Sequence, residues 1–311
     1  MTTTTRWRWR HRPRAHRAAA LKLGAVRLQL AVLERVAPKV AGARAVALWC
    51  TLPANAGRRK DYRPGPGELV ELPARRGGRL VAEVWGTSST EERPTVYLVH
   101  GWGGWRGQLG AFVQPLVDAG YRVVGFDGPS HGDSDPGVMG RGKGTLVEVT
   151  EALEVVGEHF GPAAGVIAHS MGCTVAAMAV RDSLTADRLV LVAPNHDFAE
   201  ITDDFAVALH LSDRTLGLLR GEIEEFVGRP LSDFDLEPLG ADGALPPTLL
   251  IHDRRDKETP YQVSATLAAS WPEAELLTTD GLGHQRILLD EATVAAAVGH
   301  LTGRVAEPAR H

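Results

Sequence analysis

The stretch AAGVIAHSMGCTVAAMAV, residues 163 to 180, decides how this chain is read. Its first half is a continuous apolar run, the pattern of a strand covered on both faces, and its second half is a run of small residues suited to a helix. Ser170 stands at the junction, so the chain must turn sharply there. Such a turn lifts the hydroxyl above the sheet and aims the first N–H groups of the helix at the same spot. Gly172 lets helix and strand approach closely, and Ala168, on the other side, adds only a methyl group. A rival serine lies in GPSHG, residues 128 to 132, which fits G-x-S-x-G letter for letter. Its flank carries Pro136 and Gly132, Gly137, Gly140 and Gly142, and such a stretch cannot start a helix. Ser130 is therefore expected in a flexible loop, and Ser170 is the candidate nucleophile; the bland alternative for Ser170 is a helix N-cap.

Outward from this stretch, strands and helices alternate. Apolar runs occur at 95–100, 121–127, 164–169, 188–193, 248–253 and 274–279, with helix-like segments at 107–119, 143–160, 171–183 and 289–302. A hairpin precedes them in ELVELPARRGGRLVAEVWG, two β-rich runs around Gly77 and Gly78. This rhythm predicts an α/β fold built on a doubly wound, mostly parallel sheet. Between 195 and 245 it breaks: two or three helices follow one another without a strand, as in a small helical cap inserted over the carboxyl ends of the strands. The domain expectation is a basic arm and N-terminal helical extension over 1–66, a core over 67–194 and 246–303, the insertion over 195–245 and a tail over 304–311.

A serine hydroxyl is a poor nucleophile near neutral pH and needs a base, which in turn needs an orienting acid. DGLGHQRIL places His284 in a glycine-flanked loop before the last helix, where a histidine is seldom core filler; it is the candidate general base. HDRRDKETP, after the 248–253 strand, offers Asp253, Asp256 and Glu258. Asp253 continues the strand and reads as structural. Asp256, deeper in the loop, is placed to turn toward an imidazole and is the candidate acid. For an oxyanion, the expected donors are the backbone N–H groups of Met171, next to the serine, and Trp102, in the glycine-rich HGWGG. His100 reads as a brace for that loop.

Composition is that of a globular protein, 44% hydrophobic and 23% charged over 311 residues. Two widely spaced cysteines make neither a disulfide scaffold nor a metal motif, which favours a reducing, cytoplasmic setting. Charge is lopsided: the first 33 residues carry eight Arg or Lys and no acid, leaving −12 for the remainder. The basic start RWRWRHRPRAHR, with Trp7 and Trp9, reads either as a solvated arm or as a contact for an anionic surface. AAALKLGAVRLQLAVLERVAPKV is a helix stopped by Pro38, interrupted by charges too often for a signal or a span. It is apolar around too much of its circumference to stand alone, so it is expected on the body, on a second copy as a homodimer contact, or on a membrane surface. The insertion is rich in acids and holds three arginines over 197–241, which suits either solvated helix faces or a cationic substrate.

HGWGG, AHSMG, HDRRD and GLGHQ follow the chain order of the α/β-hydrolase family, and the sequence resembles its bacterial, capped esterase and lipase-like branch over about residues 67 to 303. FDGPSHGDSD is similar to a loop common in such relatives, which implies a structural role for Asp127, His131, Gly132 and Ser134. Two departures stand out, Ala168 for the usual Gly and Asp253 for the Gly expected after His252. The resemblance implies a serine hydrolase for a small-molecule carboxylic ester or thioester. A peptidase or amidase of the same fold is the rival, and a non-catalytic binding protein the alternative from another class. No cofactor, metal or nucleic acid is expected, because no HExxH or clustered ligand set is visible.

Overall fold

The structure, a computed structural model, describes residues 12–53, 61–88, 92–195 and 197–303. The basic start up to His11 and the tail from Arg304 lie outside the described residues. Strands β1 (Glu68–Pro73) and β2 (Arg79–Trp85) form the expected antiparallel hairpin, turned through Gly77 and Gly78 at φ 93° and 85°. β3 (Thr95–Val99), β4 (Arg122–Asp127), β5 (Ala163–His169), β6 (Leu189–Val192), β7 (Thr248–Asp253) and β8 (Ala274–Thr279) complete one eight-stranded sheet. Its order is β1-β2-β4-β3-β5-β6-β7-β8, antiparallel at β1/β2 and β2/β4 and parallel elsewhere.

β3, β6 and β7 are buried at every position because crossover helices cover both faces, which is why their sequences do not alternate. The helices of this layer are α3 (Val113–Asp118), α4 (Leu146–Phe160), α5 (Met171–Asp182), α8 (Leu236–Gly240), α9 (Tyr261–Ser270), α10 (Gly283–Arg286) and α11 (Glu291–Leu301). α4 starts at an N-cap threonine: the Glu148 N–H donates to Thr145 Oγ1, and the Thr145 hydroxyl donates in turn to Glu148 Oε2 at 2.8 Å. Two elements differ from the sequence expectation. The helix expected over 107–119 begins as 3-10 turns over Arg106–Phe112, because Leu109 leaves the helical region, and only the last part is α-helical. α9 carries little periodic signal of its own, but parallel β7 and β8 require a crossover between them.

The chain passes from β3 outward to β4 and then crosses back to β5 on the other side of β3. At such a reversal the loops leaving neighbouring strands diverge and open a crevice. Val99 pairs with Ala168 and His169 with Val192, so HGWGG and AHSMG leave the sheet side by side.

The described chain divides into two compact units. The sheet and the helices above form one, together with residues 230–245, which the sequence had grouped with the insertion. The other contains α1 (Arg12–Val36), α2 (Pro38–Trp49), and residues 199–229, which carry α6 (Phe198–Leu209) from its second residue on and α7 (Asp213–Val227). Pro38 opens α2 rather than closing off helical structure, since its missing N–H is no loss in a first turn. Within this second unit Gly42 of α2 meets α7 so closely that a Cβ there would lie 2.9 Å from Leu218 Cβ. Arg27 donates to the Ala208 carbonyl at 2.7 and 2.9 Å, Glu34 accepts from the Ser212 N–H at 2.8 Å, and Trp49 meets Phe205 edge to face. The N-terminal helices thus pack against helices that lie far along the chain.

Candidate active site

Ser170 is held between β5 and α5 at φ 55°, ψ −125°, a conformation costly for any residue with a side chain. It is fixed there because its N–H donates to the Val192 carbonyl at 3.0 Å while its own carbonyl accepts from Cys173 N–H at 2.9 Å. A Cβ on Gly172 would fall 2.6 Å from the His100 carbonyl oxygen and 2.7 Å from that of Val99. Glycine is therefore obligatory after the serine, whereas Ala168 sits fully buried without conflict. Cys173 is a buried small residue whose thiol burial pushes well up.

Ser130 also has positive φ, 64°, but no helix follows it. Its hydroxyl donates to the Gly140 carbonyl and accepts the Gly137 N–H at 3.0 Å. The surrounding loop is not the flexible one expected from its glycines. Asp127, buried beneath it, accepts from Arg106 N–H at 2.7 Å and Asp133 N–H at 2.9 Å, and pairs with the Arg106 guanidinium. Arg106 reaches Glu83 at 2.8 Å and Asp133 at 2.7 Å as well. A Cβ on Gly132 would collide with the Asp127 carboxylate at 2.0 Å, so this glycine is a packing requirement.

His284, nearly buried, directs Nδ1 at Asp256 Oδ2, 2.8 Å away. A carboxylate only accepts, so Nδ1 carries a proton, and in the neutral ring it is Nε2 that holds the lone pair. Burial pushes the Asp256 carboxyl up, but His252, His284 and the Glu258 N–H, which donates to Oδ1 at 2.7 Å, together hold it well below the carboxylate range. Thr259 adds its N–H to Oδ1 at 3.1 Å and its hydroxyl to Oδ2 at 3.2 Å. Glu258, the other acid of this loop, is exposed and lies 3.8 Å from His284 Nε2.

Asp253 is wholly buried and joins the two loops. Oδ1 accepts from Arg255 N–H at 2.9 Å and Gly281 N–H at 3.2 Å; Oδ2 accepts from the Thr279 hydroxyl at 2.8 Å and Leu282 N–H at 2.9 Å. Burial raises this carboxyl, and the Leu282, Thr279 and Arg255 donors overcome that and hold it at about 2. The loop carrying His284 is also tied toward the serine, because His169 Nε2 donates to the His284 carbonyl at 2.9 Å and the two rings lie 4.6 Å apart. Among the described residues no hydrogen bond joins the Ser170 hydroxyl to His284.

HGWGG abuts the serine: a Cβ on Gly101 would sit 3.1 Å from Ser170 Cβ. Its N–H groups are nearly all committed. Gly101 donates to Gln108 Oε1 at 2.9 Å, Gly103 to His131 Nε2 at 3.2 Å and Gly104 to the Gly101 carbonyl at 2.9 Å. Among the described residues the Trp102 N–H meets no acceptor, and the Met171 N–H, first in α5, has no carbonyl one turn back. His100 and His131 brace this loop from below. In each ring Nδ1 donates to a carbonyl, Gly101 or Pro129, and Nε2 accepts an N–H, from Gly128 or Gly103. Burial holds His100 down at about 4, and burial with His100 nearby holds His131 at about 3.

Sequence reasoning passed over Gln108, His252 and Thr259, since each acts by bracing another group and bears no motif of its own. Among the described residues no group of three His, Cys, Asp or Glu is arranged to hold a metal.

A family model described as alpha/beta hydrolase fold matches residues 94–245, and one described as TAP-like protein matches 233–307. No curated protein matches the chain in sequence. Among solved structures, a predicted CIB-like hydrolase from Thermoplasma acidophilum is similar with TM-score 0.57 and 17% identity, over 77% of this chain and 100% of that one. An esterase from Exiguobacterium antarcticum gives TM-score 0.57 and 16% identity over 75% and 99%. An esterase from Pyrococcus furiosus gives 0.56 and 21% over 76% and 91%. At these identities the likeness speaks for the fold. Sheet order, the strained turn after β5 and the two family models agree, and the chain belongs to the α/β-hydrolase fold family.

Proposed function

We propose that this protein is a serine hydrolase that cleaves a carboxylic ester or thioester through an acyl-enzyme. The observation that carries the reading is the 2.8 Å contact between His284 Nδ1 and Asp256, which leaves Nε2 basic, beside a serine strained at φ 55°. Ser170 Oγ attacks the substrate carbonyl carbon as its proton passes to His284 Nε2, and Asp256 holds the resulting imidazolium. The Trp102 and Met171 N–H groups receive the oxyanion, each contributing about 3 kcal/mol to the transition state. Collapse expels the alcohol or thiol, which takes the proton from Nε2. Water, deprotonated by His284, then attacks acyl-Ser170 and releases the carboxylic acid. The helical insertion after β6 enters this reading as a substrate-selecting cap, and the cytoplasm as the site of action.

The test is labelling of the folded protein with a fluorophosphonate, followed by peptide mass spectrometry. An adduct on Ser170 supports the proposal and justifies comparing an ester, a thioester and an amide of one acyl group; faster turnover of the amide would move the assignment to a peptidase. An adduct on Ser130, or none in protein shown to be folded, refutes it.

A further inference from the structure

Before β1 begins, the chain passes over the loop that follows β3. Residues 50–52 run antiparallel to 142–144: the Leu52 N–H donates to the Gly142 carbonyl and the Gly144 N–H to the Cys50 carbonyl, both at 2.9 Å, with Thr51 opposite Lys143. Cys50 and Leu52 are each 5% exposed, so this short bridge is a seated clasp, and it fixes where Pro53 falls. Leu52 and His131 lie against the same glycine, since a Cβ on Gly144 would sit 3.5 Å from Leu52 Cδ2 and 3.2 Å from His131 Cε1. Pro53, itself exposed, lays its ring on Gly103, where a Cβ would fall 2.6 Å from Cδ and 2.8 Å from Cγ.

Gly103 governs the turn in HGWGG. Gly101 to Gly104 form a β-turn closed by the Gly104 N–H on the Gly101 carbonyl at 2.9 Å, and Gly103, third in the turn, has φ 65°, as a type II turn requires. The same carbonyl accepts from His100 Nδ1 at 2.9 Å, so both of its lone pairs are engaged. In a trans peptide the N–H points opposite to the carbonyl. The Trp102 N–H, which shares this peptide, is thereby turned away from His100 and Gly104. Its aim is only as firm as the turn, and the turn depends on glycine, the residue with the most backbone freedom. Rigidity must therefore come from outside: His131 takes the Gly103 N–H at 3.2 Å, and Pro53 covers the Cα. We propose that Pro53 is a positioning residue of the hydrolysis, seated by the clasp at 50–52, and that it locks the turn that aims the Trp102 N–H at the oxyanion. The proposal rests on the serine-hydrolase reading and gives the segment before β1 a part in that chemistry, through Gly103 and without touching substrate.

The test is the kinetics of fluorophosphonate labelling at Ser170 in the full chain, parent against Pro53→Ala, over a range of probe concentrations. The oxyanion contact tightens only as Ser170 Oγ displaces fluoride from phosphorus. The maximal labelling rate should therefore fall while the probe concentration giving half of it stays the same. Losing an oxyanion donor outright costs about 100- to 1,000-fold, and a donor still present but loosely aimed should cost about tenfold. Pro53→Val, which keeps two carbons beyond Cβ against Gly103, should recover most of the rate, and both variants should melt with the parent because the position is exposed. An unchanged maximal rate in Pro53→Ala, or equal losses in the two variants, overturns the proposal. So does a loss confined to the half-saturating concentration, or one that only follows a lowered melting temperature. A parent that fails to label at Ser170 refutes the hydrolase itself, whereas a parent that labels and a Pro53→Ala variant that labels as fast refute the positioning role alone.

Discussion

Asp253→Ala is the substitution that most directly tests whether the two loops around His284 act as one piece. It removes a buried carboxylate that accepts four hydrogen bonds, from the N–H groups of Arg255, Gly281 and Leu282 and from the Thr279 hydroxyl. A hydrogen bond to a charged group is worth about 1.5–3 kcal/mol net, but all four donors lie in residues with some exposure, so water replaces part of the loss and about 3–5 kcal/mol is expected. For a chain of this size that lowers the melting temperature by roughly 5–15 °C. Because Gly281 and Leu282 lead directly to His284, the imidazole should shift as well, and a displacement of about 1 Å costs on the order of 100-fold in rate. Thermal unfolding reads the first effect and the rate of fluorophosphonate labelling the second, whatever the natural substrate. The sign of the acid response follows: the folded carboxyl is depressed from 3.8 to about 2, so its stabilisation is present above 3.8 and is lost as pH falls toward 2. The variant should therefore show a shallower loss of stability across that window. A variant that melts with the parent and labels at the parental rate would refute the reasoning.

Three further outcomes follow from the geometry. Asp256→Asn should slow labelling of Ser170 by about 10³–10⁴-fold, because an amide facing Nδ1 no longer fixes the basic tautomer, while Glu258→Gln should have little effect; the reverse order would reassign the acid. His131 is neutral when folded, at about 3, and charges near 6.5 when unfolded. The unfolded state thus binds more protons between those values, and stability falls as pH drops below 6.5. His131→Gln should flatten that slope by up to roughly 1.4 kcal/mol per pH unit, and denaturant melts at pH 7, 5.5 and 4.5 that show an unchanged slope would count against it. Gly172→Ala drives a methyl into the Val99 and His100 carbonyls and should cost about 3 kcal/mol or more, read from urea unfolding. An unperturbed midpoint would mean that the turn is looser than its geometry implies.

The sequence by itself determined the fold class and the order of its parts. Apolar runs as continuous as TLLIHD can be buried only between two helical layers, and small residues directly after AGVIAHS permit only a tight strand-to-helix turn. It also separated Ser170 from Ser130, since the glycines after Ser130 leave no helix to build on. What it read incompletely was the loops. Four glycines after Ser130 suggested flexibility, yet Asp127 and Arg106, brought together from different strand ends, knit that loop from below.

The sequence favoured Asp256 over Asp253 and Glu258 as the partner of His284, but only the tertiary structure shows the contacts themselves. Asp253, Asp256 and Glu258 are within five residues of each other, and local pattern gives each a claim. Only the pairing of β7 with β8 turns Asp256 to His284 at 2.8 Å and puts Asp253 under the adjoining loop. The partner of the N-terminal helices was equally hidden. A helix apolar on two sides does not say which side is filled from within, and Gly42 finds Leu218 at a distance along the chain that no local pattern records. Periodicity is a property of neighbours in sequence, whereas hydrogen-bond partners and packing faces belong to neighbours in space.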